Sequence, residues 1–473
     1  MVFSSSLFLL YFFPFFLIIY FLADVKYKNN VALLASVFFF SWGAPLFVFV
    51  VLGSICIDYF IVKWMYKKSG KAKMFFLITS VILNLGLLLY FKYANFFVDN
   101  VNHLVARWGT HGIDWTNVAL PIGISFFTFK KLSYTIDVYR NTHPPMDDIN
   151  KYALFILLFP ELIAGPIVRF NEIADQIIDR KDRETIDNKL SGLFRFVIGL
   201  SKKVLIANVL GSEVDKIFDM APDALNTGTA WLGVVAYSFQ IYFDFAGYSD
   251  MAIGIAKMIG FKFPENFDNP YISQSITEFW RRWHITLGRW MRDYLYIPLG
   301  GNKVSKGRMY FNLWLVFLLS GLWHGASWNF VIWGAFHGVF LIADKIFLLK
   351  FYNKIGKYPS IIITYFIVLI GWVFFRANDL QASTGFIHKM FAFDFKQIDI
   401  YFYSKFYCLL TIAIFFSFWG VFKFSIRLQE RFYFGEFKLS GVAVMSFVSF
   451  LFFILCVSSI TSSGFNPFIY FRF

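Results

Sequence analysis

Long apolar stretches separated by short polar loops recur along the whole chain. A helix that crosses a bilayer needs about 20 predominantly apolar residues. The clear candidates are Ser5–Ala23, Met74–Phe97, Trp231–Ile259, Met309–Lys345, Ser360–Phe375, Tyr403–Lys423 and Gly441–Ile460. This pattern predicts an all-α polytopic membrane protein.

Three further apolar stretches contain Lys, Glu, Arg, Pro or Gly, namely Val118–Val138, Tyr152–Val168 and Leu193–Leu210. Such residues are typical of broken or re-entrant helices that are buried in protein. The stretch Val31–Val62 is interrupted by Ser41-Trp-Gly-Ala-Pro45 and flanked by lysines at both ends, which predicts a helical hairpin. The total is about nine to twelve membrane segments.

The composition agrees with this prediction. Apolar residues make up 58% of the chain and charged residues 16%, with a mean hydropathy of +0.59, whereas soluble domains average about 45–50% and about 25%. We therefore predict that residues 1–473 form a single integral membrane domain. Met1–Ala23 has no basic n-region and no small-residue cleavage site, so we interpret it as a retained first span rather than a signal peptide.

The net charge of +14 comes from Lys and Arg in short loops beside the apolar segments. Basic loops beside spans usually face the cytoplasm, so the charge indicates membrane topology and contact with lipid, and no nucleic-acid partner is expected. The three cysteines have unrelated spacings, and no histidines form a His-x-x-x-His pair. Neither a disulfide framework nor a metal site is expected.

One segment, Thr277–Leu295, has the sequence TEFWRRWHITLGRWMRDYL. At 100° per residue its aromatic side chains fall opposite its arginines, which predicts one amphipathic helix in the membrane interface with Thr277 as N-cap. His284 lies on the aromatic face. It is either a histidine packed under tryptophans or a polar group that faces a reaction chamber. Arg281 and Arg282 are candidates for binding the phosphates of an acyl donor.

A second histidine, His324, lies in the run SGLWHGASWN within an apolar stretch. An ionisable side chain at membrane depth indicates a functional site, because a neutral imidazole can take a proton from an acceptor hydroxyl and return it to a leaving group. Trp323, Ser327 and Asn329 of the same run are expected to contact the substrate. The alternative is a histidine that hydrogen-bonds a neighbouring span.

A third histidine, His337, follows 13 residues later, about 20 Å further along a straight helix. It cannot share the site of His324 unless the helix breaks near Gly325. We interpret His337 as structural.

Around these histidines the chain resembles the bacterial membrane-bound O-acyltransferases (MBOAT), specifically the alginate O-acetylase group. The resemblance is carried by FWRRWH at Phe279–His284, RDYLYIPLGGN at Arg292–Asn302 and GLWHGASW at Gly321–Trp328. Further similar runs, in chain order, are Leu120–Phe129, Ala164–Arg169, Tyr242–Gly254, Glu265–Tyr271 and Gly371–Arg376.

The resemblance implies a ring of helices around a central funnel, with His324 where the inner and outer approaches meet and His284 as the second family histidine. It implies no bound cofactor and a cytoplasmic thioester donor, acetyl-CoA in the alginate-like group. It also implies a separate extracytoplasmic acyltransferase partner and a polysaccharide acceptor. The run Pro298-Leu-Gly-Gly-Asn302 favours the acetylase branch over the D-alanyl branch, whose donor is a carrier protein.

Three further predictions concern polar residues within or after the similar runs. Tyr470 is either an interfacial anchor or a covalent acyl relay to the outside enzyme. Arg169 either binds a donor phosphate or extends its guanidinium to the interface. Asp244 and Asp250 either orient a histidine or form ion pairs.

The predicted function is O-acetylation of an exported or cell-wall polysaccharide such as alginate, by a multi-pass protein of the bacterial inner membrane. The alternatives are a D-alanyl, lipid or protein O-acyltransferase of the same family, and a non-catalytic polysaccharide export partner.

Overall fold

The computed structural model, which describes residues 1–109, 111–396, 401–434, 439–462 and 464, is built from helices. The described residues contain no β-strand beyond one isolated antiparallel bridge, between Phe267 and Trp283. The chain divides into two units. The first consists of Leu7–Thr185 with Met1 and Ile259–Phe263, and the second of Val2–Ser6, Ile186–Met258 and Pro264–Phe473.

The first unit contains eight α-helices among its described residues. They are α1 (Phe13–Leu22), α2 (Lys28–Gly43), α3 (Phe47–Tyr66), α4 (Gly70–Leu88), α5 (Ala94–Ala106), α6 (Ile124–Tyr139), α7 (Ile149–Leu157) and α8 (Phe170–Ile178). The hairpin predicted for Val31–Val62 is confirmed, because the chain leaves the helix between α2 and α3 at the Ala-Pro-Leu sequence. Pro45 there has no N–H to donate to a continuous helix.

Polar side chains meet inside the first unit in a cluster that we call the Asp58 network: Asp58, Ser80, Asn84 and Tyr152. One carboxylate oxygen of Asp58 accepts hydrogen bonds from Ser80 Oγ (2.5 Å) and Asn84 Nδ2 (3.0 Å). The other accepts from the Tyr152 hydroxyl at 2.6 Å. All four residues are buried, and both side-chain oxygens of Asp58 have hydrogen-bond partners, as expected of a buried polar group.

The second unit contains the remaining described helices. They are α9 (Ile186–Ser201), α10 (Asn208–Phe218), α11 (Thr227–Met258), α12 (Ile276–Arg282), α13 (Ile285–Met291), α14 (Lys306–His324), α15 (Trp328–Ala343), α16 (Leu349–Ile355), α17 (Lys357–Arg376), α18 (Leu380–Met390), α19 (Ser404–Phe418), α20 (Lys423–Phe434) and α21 (Leu439–Ser462).

Six helical runs of the described residues are long and apolar enough to cross a membrane: Phe47–Tyr66, Gly70–Ala106, Trp328–Ile355, Lys357–Arg376, Ser404–Val421 and Ser440–Ser462. Shorter helices accompany them, which confirms the prediction of an all-α polytopic protein. The break predicted in Tyr152–Val168 is present, since α7 ends at Leu157. The break predicted in Leu193–Leu210 is absent, because a π-helical segment, Lys202–Ala207, joins α9 to α10. The ring around a funnel stays a prediction.

Two helices predicted as continuous are interrupted. The predicted span Met309–Lys345 is two helices, α14 and α15, separated by the extended residues Gly325 and Ser327. Small residues without helix-stabilising side chains allow the chain to turn there.

The predicted helix Thr277–Leu295 is also wrong as a single element. α12 ends at Arg282, and His284 adopts the left-handed conformation before α13 begins. The N-cap of α12 is Ser275, whose side chain accepts from the backbone N–H of Glu278, and Thr277 lies inside the helix. Helical periodicity does not show this break, at which residues 282–285 pair with residues 266–268.

Candidate active site

The helices α14 and α15 pack against each other as an antiparallel hairpin, and His324 is the last residue of α14 at its turn. Two glycines permit the close approach. A Cβ at Gly321 would lie 2.2 Å from the carbonyl oxygen of Phe330, and one at Gly334 would lie 2.4 Å from that of Phe317. Any larger residue at these positions would push the helices apart.

Aromatic rings enclose the imidazole of His324, which is only 6% exposed. Its ring centroid lies 5.0 Å from that of Trp323, 5.2 Å from that of Trp333 and 5.3 Å from that of Phe375. Such surroundings have a low dielectric constant, so charge that develops near His324 interacts strongly with fixed dipoles.

His284 lies beside His324, with their ring centroids 6.4 Å apart. It is 2% exposed and has a positive φ of 45°. The His284 Nδ1 is 3.1 Å from the Asn266 side-chain oxygen, and Phe245 packs edge-to-face on the ring. The structure thus shows His284 as a buried histidine with one hydrogen-bonded ring nitrogen and with His324 beside it.

A cavity of about 250 Å³ reaches His284, and we call it the His284 cavity. Its polar lining includes Thr277, Arg281, His284, Arg292, Ser320 and Lys345. Trp280, Trp283 and Phe317 are among its apolar lining residues. Ser320, one of the described residues that line this cavity, lies one helical turn before His324 in α14, whereas His324 does not line it.

The two neighbouring arginines have different surroundings. Arg281 lines the His284 cavity. Arg282 is held by Glu278 at 2.9 Å and by Asp268 at 3.0 Å. Of the two, Arg281 is therefore the better placed to meet a ligand in this cavity.

The other residues predicted to contact substrate are distributed as follows. Trp323 packs on both His324 and His284. Ser327 precedes the first residue of α15. The amide of Asn329 donates to the carbonyl oxygen of Ala377 at 2.8 Å, which connects α15 to the end of α17.

Arg169 belongs to the first unit, where it pairs with Glu172 at 2.6 Å at the start of α8. Tyr470 lies outside the described residues.

His337 is fully buried. Its ring packs on Trp280 at 4.9 Å and on Trp333 at 5.1 Å. Because the helix does break at Gly325, Trp333 contacts the rings of both His324 and His337. The geometry agrees with a packing role for His337.

Ion pairs in α11 favour the structural interpretation of its two aspartates. Asp250 pairs with Arg195 at 2.9 Å and with Lys202 at 2.6 Å, and Asp244 pairs with Lys203 at 2.7 Å. Among the described residues, no group of three His, Cys, Asp or Glu side chains is placed to hold a metal ion.

Sequence reasoning did not single out Asn266, the residue that contacts His284. The only signal was its place in the polar run Glu265–Tyr271 that carries part of the family resemblance.

Comparison with known proteins decides the family. The model of MBOAT, membrane-bound O-acyltransferase family, matches residues 127–355, which include both His284 and His324. A probable alginate O-acetylase of Pseudomonas aeruginosa is 45% identical over 405 residues, which cover 84% of this chain and 76% of that protein. The chain belongs to the membrane-bound O-acyltransferase family.

Two other relatives differ in how much of this chain they match and in their identity to it. A peptidoglycan O-acetyltransferase of Helicobacter pylori is 38% identical over 424 residues, covering 82% of this chain and 80% of that protein. A teichoic acid D-alanyltransferase of Bacillus subtilis is 32% identical over 283 residues, covering 55% and 70%. The chain is thus an O-acyltransferase, as predicted from its sequence.

Proposed function

We propose that this O-acyltransferase transfers acetyl groups from cytoplasmic acetyl-CoA across the bacterial inner membrane for O-acetylation of an exported or cell-wall polysaccharide such as alginate. The acceptor is the polysaccharide itself or a separate extracytoplasmic acyltransferase that modifies it. The two relatives named as O-acetyl-transferring enzymes align over more of the chain, at higher identity, than the D-alanyltransferase does. The greater similarity to the O-acetyl-transferring relatives supports acetyl-CoA over a carrier-protein thioester as the acyl donor.

The observation that carries the proposal is the pair of buried imidazoles with ring centroids 6.4 Å apart. In the proposed reaction His324 is the general base. The acceptor oxygen attacks the thioester carbonyl carbon while the imidazole takes the hydroxyl proton. The carbon–sulfur bond then breaks, and the imidazolium returns the proton to the thiolate. The imidazole is unchanged after each transfer.

The charge distribution of the hairpin supports a cytoplasmic approach of the donor. The end of the α14–α15 hairpin opposite His324 carries Lys303, Lys306, Arg308, Lys345, Lys350 and Lys354. Basic loops of this kind face the cytoplasm. Lys345 and Arg281 line the His284 cavity, so an acyl donor with phosphate groups would enter it from this end.

The test supplies membranes with acetyl-labelled acetyl-CoA and follows the label into polymer, comparing wild type with His324→Ala. We expect labelled polymer with the wild type and none with the variant. His103→Ala is the matched control, since His103 is an exposed histidine of α5. Full labelling by His324→Ala would refute the catalytic role. If label entered the polymer only from a D-alanyl carrier protein, that carrier protein would replace acetyl-CoA as the proposed donor.

Tyr470 is the proposed covalent relay. Its phenol oxygen would accept the acetyl group as the donor thiol leaves, and would release it to the acceptor hydroxyl, which regenerates the phenol. Tyr470→Phe should keep folding and thioester hydrolysis but lose polymer acylation. Normal polymer acylation in this variant would end the relay hypothesis.

A further inference from the structure

His284 owes its position to a second segment of the chain. Its left-handed backbone is uncommon for a residue other than glycine. Two backbone hydrogen bonds hold the flanking residues, from Asp268 N–H to the Arg282 carbonyl (2.9 Å) and from Ile285 N–H to the Asn266 carbonyl (3.0 Å). This pairing lies at the break between α12 and α13, and it brings the side chain of Asn266 to His284.

The orientation of the Asn266 amide follows from its neighbours. One side-chain atom of Asn266 receives the backbone N–H of Thr286 at 3.3 Å and lies 2.8 Å from the Thr286 hydroxyl. A backbone N–H can only donate, so this atom must be the oxygen. The amide nitrogen is then free to donate to Ser249 Oγ, which lies 3.1 Å away. Asn266 is 1% exposed, so water does not compete for these bonds.

The same oxygen lies 3.1 Å from Nδ1 of His284. An amide oxygen is only an acceptor, so Nδ1 must carry a hydrogen. Burial at 2% exposure favours the neutral imidazole. In a neutral ring with its hydrogen on Nδ1, the lone pair is on Nε2. The His284 Nε2 has no hydrogen-bond partner among the described residues.

We infer that Asn266 is a positioning residue that fixes the ring orientation and the tautomer of His284, so that an unprotonated Nε2 is the nitrogen offered to the acyl donor. The inference rests on the proposed function only for the identity of the ligand, an acyl thioester in the His284 cavity. An unprotonated Nε2 accepts a hydrogen bond from an amide N–H or a thiol of such a donor. With the other tautomer, the same position would present a donor instead.

Nitrogen NMR of protein labelled with ¹⁵N-histidine tests the tautomer directly, because protonated and unprotonated ring nitrogens have well-separated shifts. Subtracting the spectrum of His284→Gln assigns the signals. We expect a protonated Nδ1 and an unprotonated Nε2 in the wild type. A wild-type spectrum with the hydrogen on Nε2 would overturn the inference without any Asn266 variant having to fold.

Three variants then separate positioning from mere packing. Asn266→Asp keeps an acceptor for His284 and should keep the tautomer, whereas Asn266→Leu should give a mixture of both tautomers. Thr286→Val is the matched control. It removes a different hydrogen bond of the same oxygen and should leave the His284 tautomer unchanged. Asn266→Leu with an unaltered tautomer would refute the positioning role.

The effects of these variants on kcat should follow the same order as their effects on the His284 tautomer. We expect Asn266→Leu to lower kcat about 10- to 100-fold, the size of effect that follows loss of the partner that orients a metal-bound imidazole, while Asn266→Asp should keep most of the activity. A purely structural role would lower the yield of folded enzyme without separating the two variants in kcat. A wild-type enzyme with the expected tautomer but no acyl transfer would contradict the proposed function and leave the positioning of His284 intact.

Discussion

Two buried polar regions of this protein use their hydrogen-bonding capacity differently. In the Asp58 network of the first unit, both carboxylate oxygens are occupied by donors from three side chains. In the second unit, His284 uses one ring nitrogen, and its Nε2, which lies beside a cavity, has no hydrogen-bond partner in the part of the chain that the structure describes. A saturated network stabilises a fold, whereas a polar atom with unused capacity is available to a ligand.

This difference helps to separate structural from chemical roles of ionisable residues in a membrane protein. Asp58 and His324 both occur in apolar helices, and each would count by itself as evidence of a functional site. The partners of each group, and the space beside it, separate a structural role from a chemical one. Four sets of variants test this distinction.

The largest expected effect is that of His324→Gln. Loss of the general base should lower the rate of acyl transfer by about 10²- to 10⁴-fold. The thermal unfolding temperature of the solubilised protein should change little, because glutamine keeps a polar side chain at the hairpin turn. Acyl-transfer kinetics and a thermal melt measure the two quantities. A lower unfolding temperature with normal kinetics would place His324 in the structural class with Asp58.

The opposite pattern is expected for Asp58→Leu. The donors of Ser80, Asn84 and Tyr152 would lose their acceptor, at a cost of about 3 kcal/mol or more in the free energy of unfolding. Thermal melts should show this loss, while the rate per folded molecule stays near that of the wild type. Asp58→Asn is the control, since its amide oxygen still accepts. A rate that falls while the melt is unchanged would give Asp58 a role in the chemistry.

The buried ion pair of Lys130 and Glu161, 2.6 Å apart in the first unit, allows a subtler test. Lys130→Met alone should lower the free energy of unfolding by about 3–5 kcal/mol, because it leaves a buried carboxylate without its partner. Adding Glu161→Leu should recover much of the loss, since apolar replacements of buried pairs are often neutral. Chemical denaturation of the single and double variants measures both. A stable double variant without acyl transfer would show that this pair is more than structural.

The smallest effect distinguishes the two arginines of α12. Arg281→Ala should raise the KM for acetyl-CoA about tenfold with little change in kcat, because a charge-assisted hydrogen bond to phosphate is lost. Arg282→Ala should change KM much less, since that side chain is held by Glu278 and Asp268. Initial rates at varied donor concentration measure both values. Equal increases in KM for the two variants would mean that Arg282 dissociates from Glu278 and Asp268 and binds the donor.

Several features of the fold could be predicted because they depend on local sequence. The hairpin within Val31–Val62 was predictable from its central proline and flanking lysines, and α7 was expected to break because of the charge and proline within Tyr152–Val168. His324 was singled out because an ionisable side chain is unusual in an apolar segment, and His284 because it lies on the aromatic face of an amphipathic segment. Each of these signals lies within a few residues of the feature it predicts.

Two of the three errors in the predicted helices have a different origin from the break wrongly predicted in Leu193–Leu210. Both interrupted helices read as continuous, because hydrophobic periodicity does not register a turn stabilised from elsewhere. α12 and α13 separate where residues 282–285 pair with residues 266–268. α14 and α15 fold back on each other through the glycines at 321 and 334. The importance of Asn266 depends on the first of these distant contacts.

The amino-acid sequence was enough to predict a helical membrane protein and to make His324 and His284 candidates, because apolar length and an ionisable side chain in an apolar or amphipathic segment are local properties. The contacts of the folded chain show that the two imidazoles lie side by side, that Asn266 bonds to Nδ1 of His284, and that Arg281 rather than Arg282 lines the His284 cavity. Those properties depend on contacts between residues far apart in the chain, and such contacts form only when the hairpin and the broken helix are packed together.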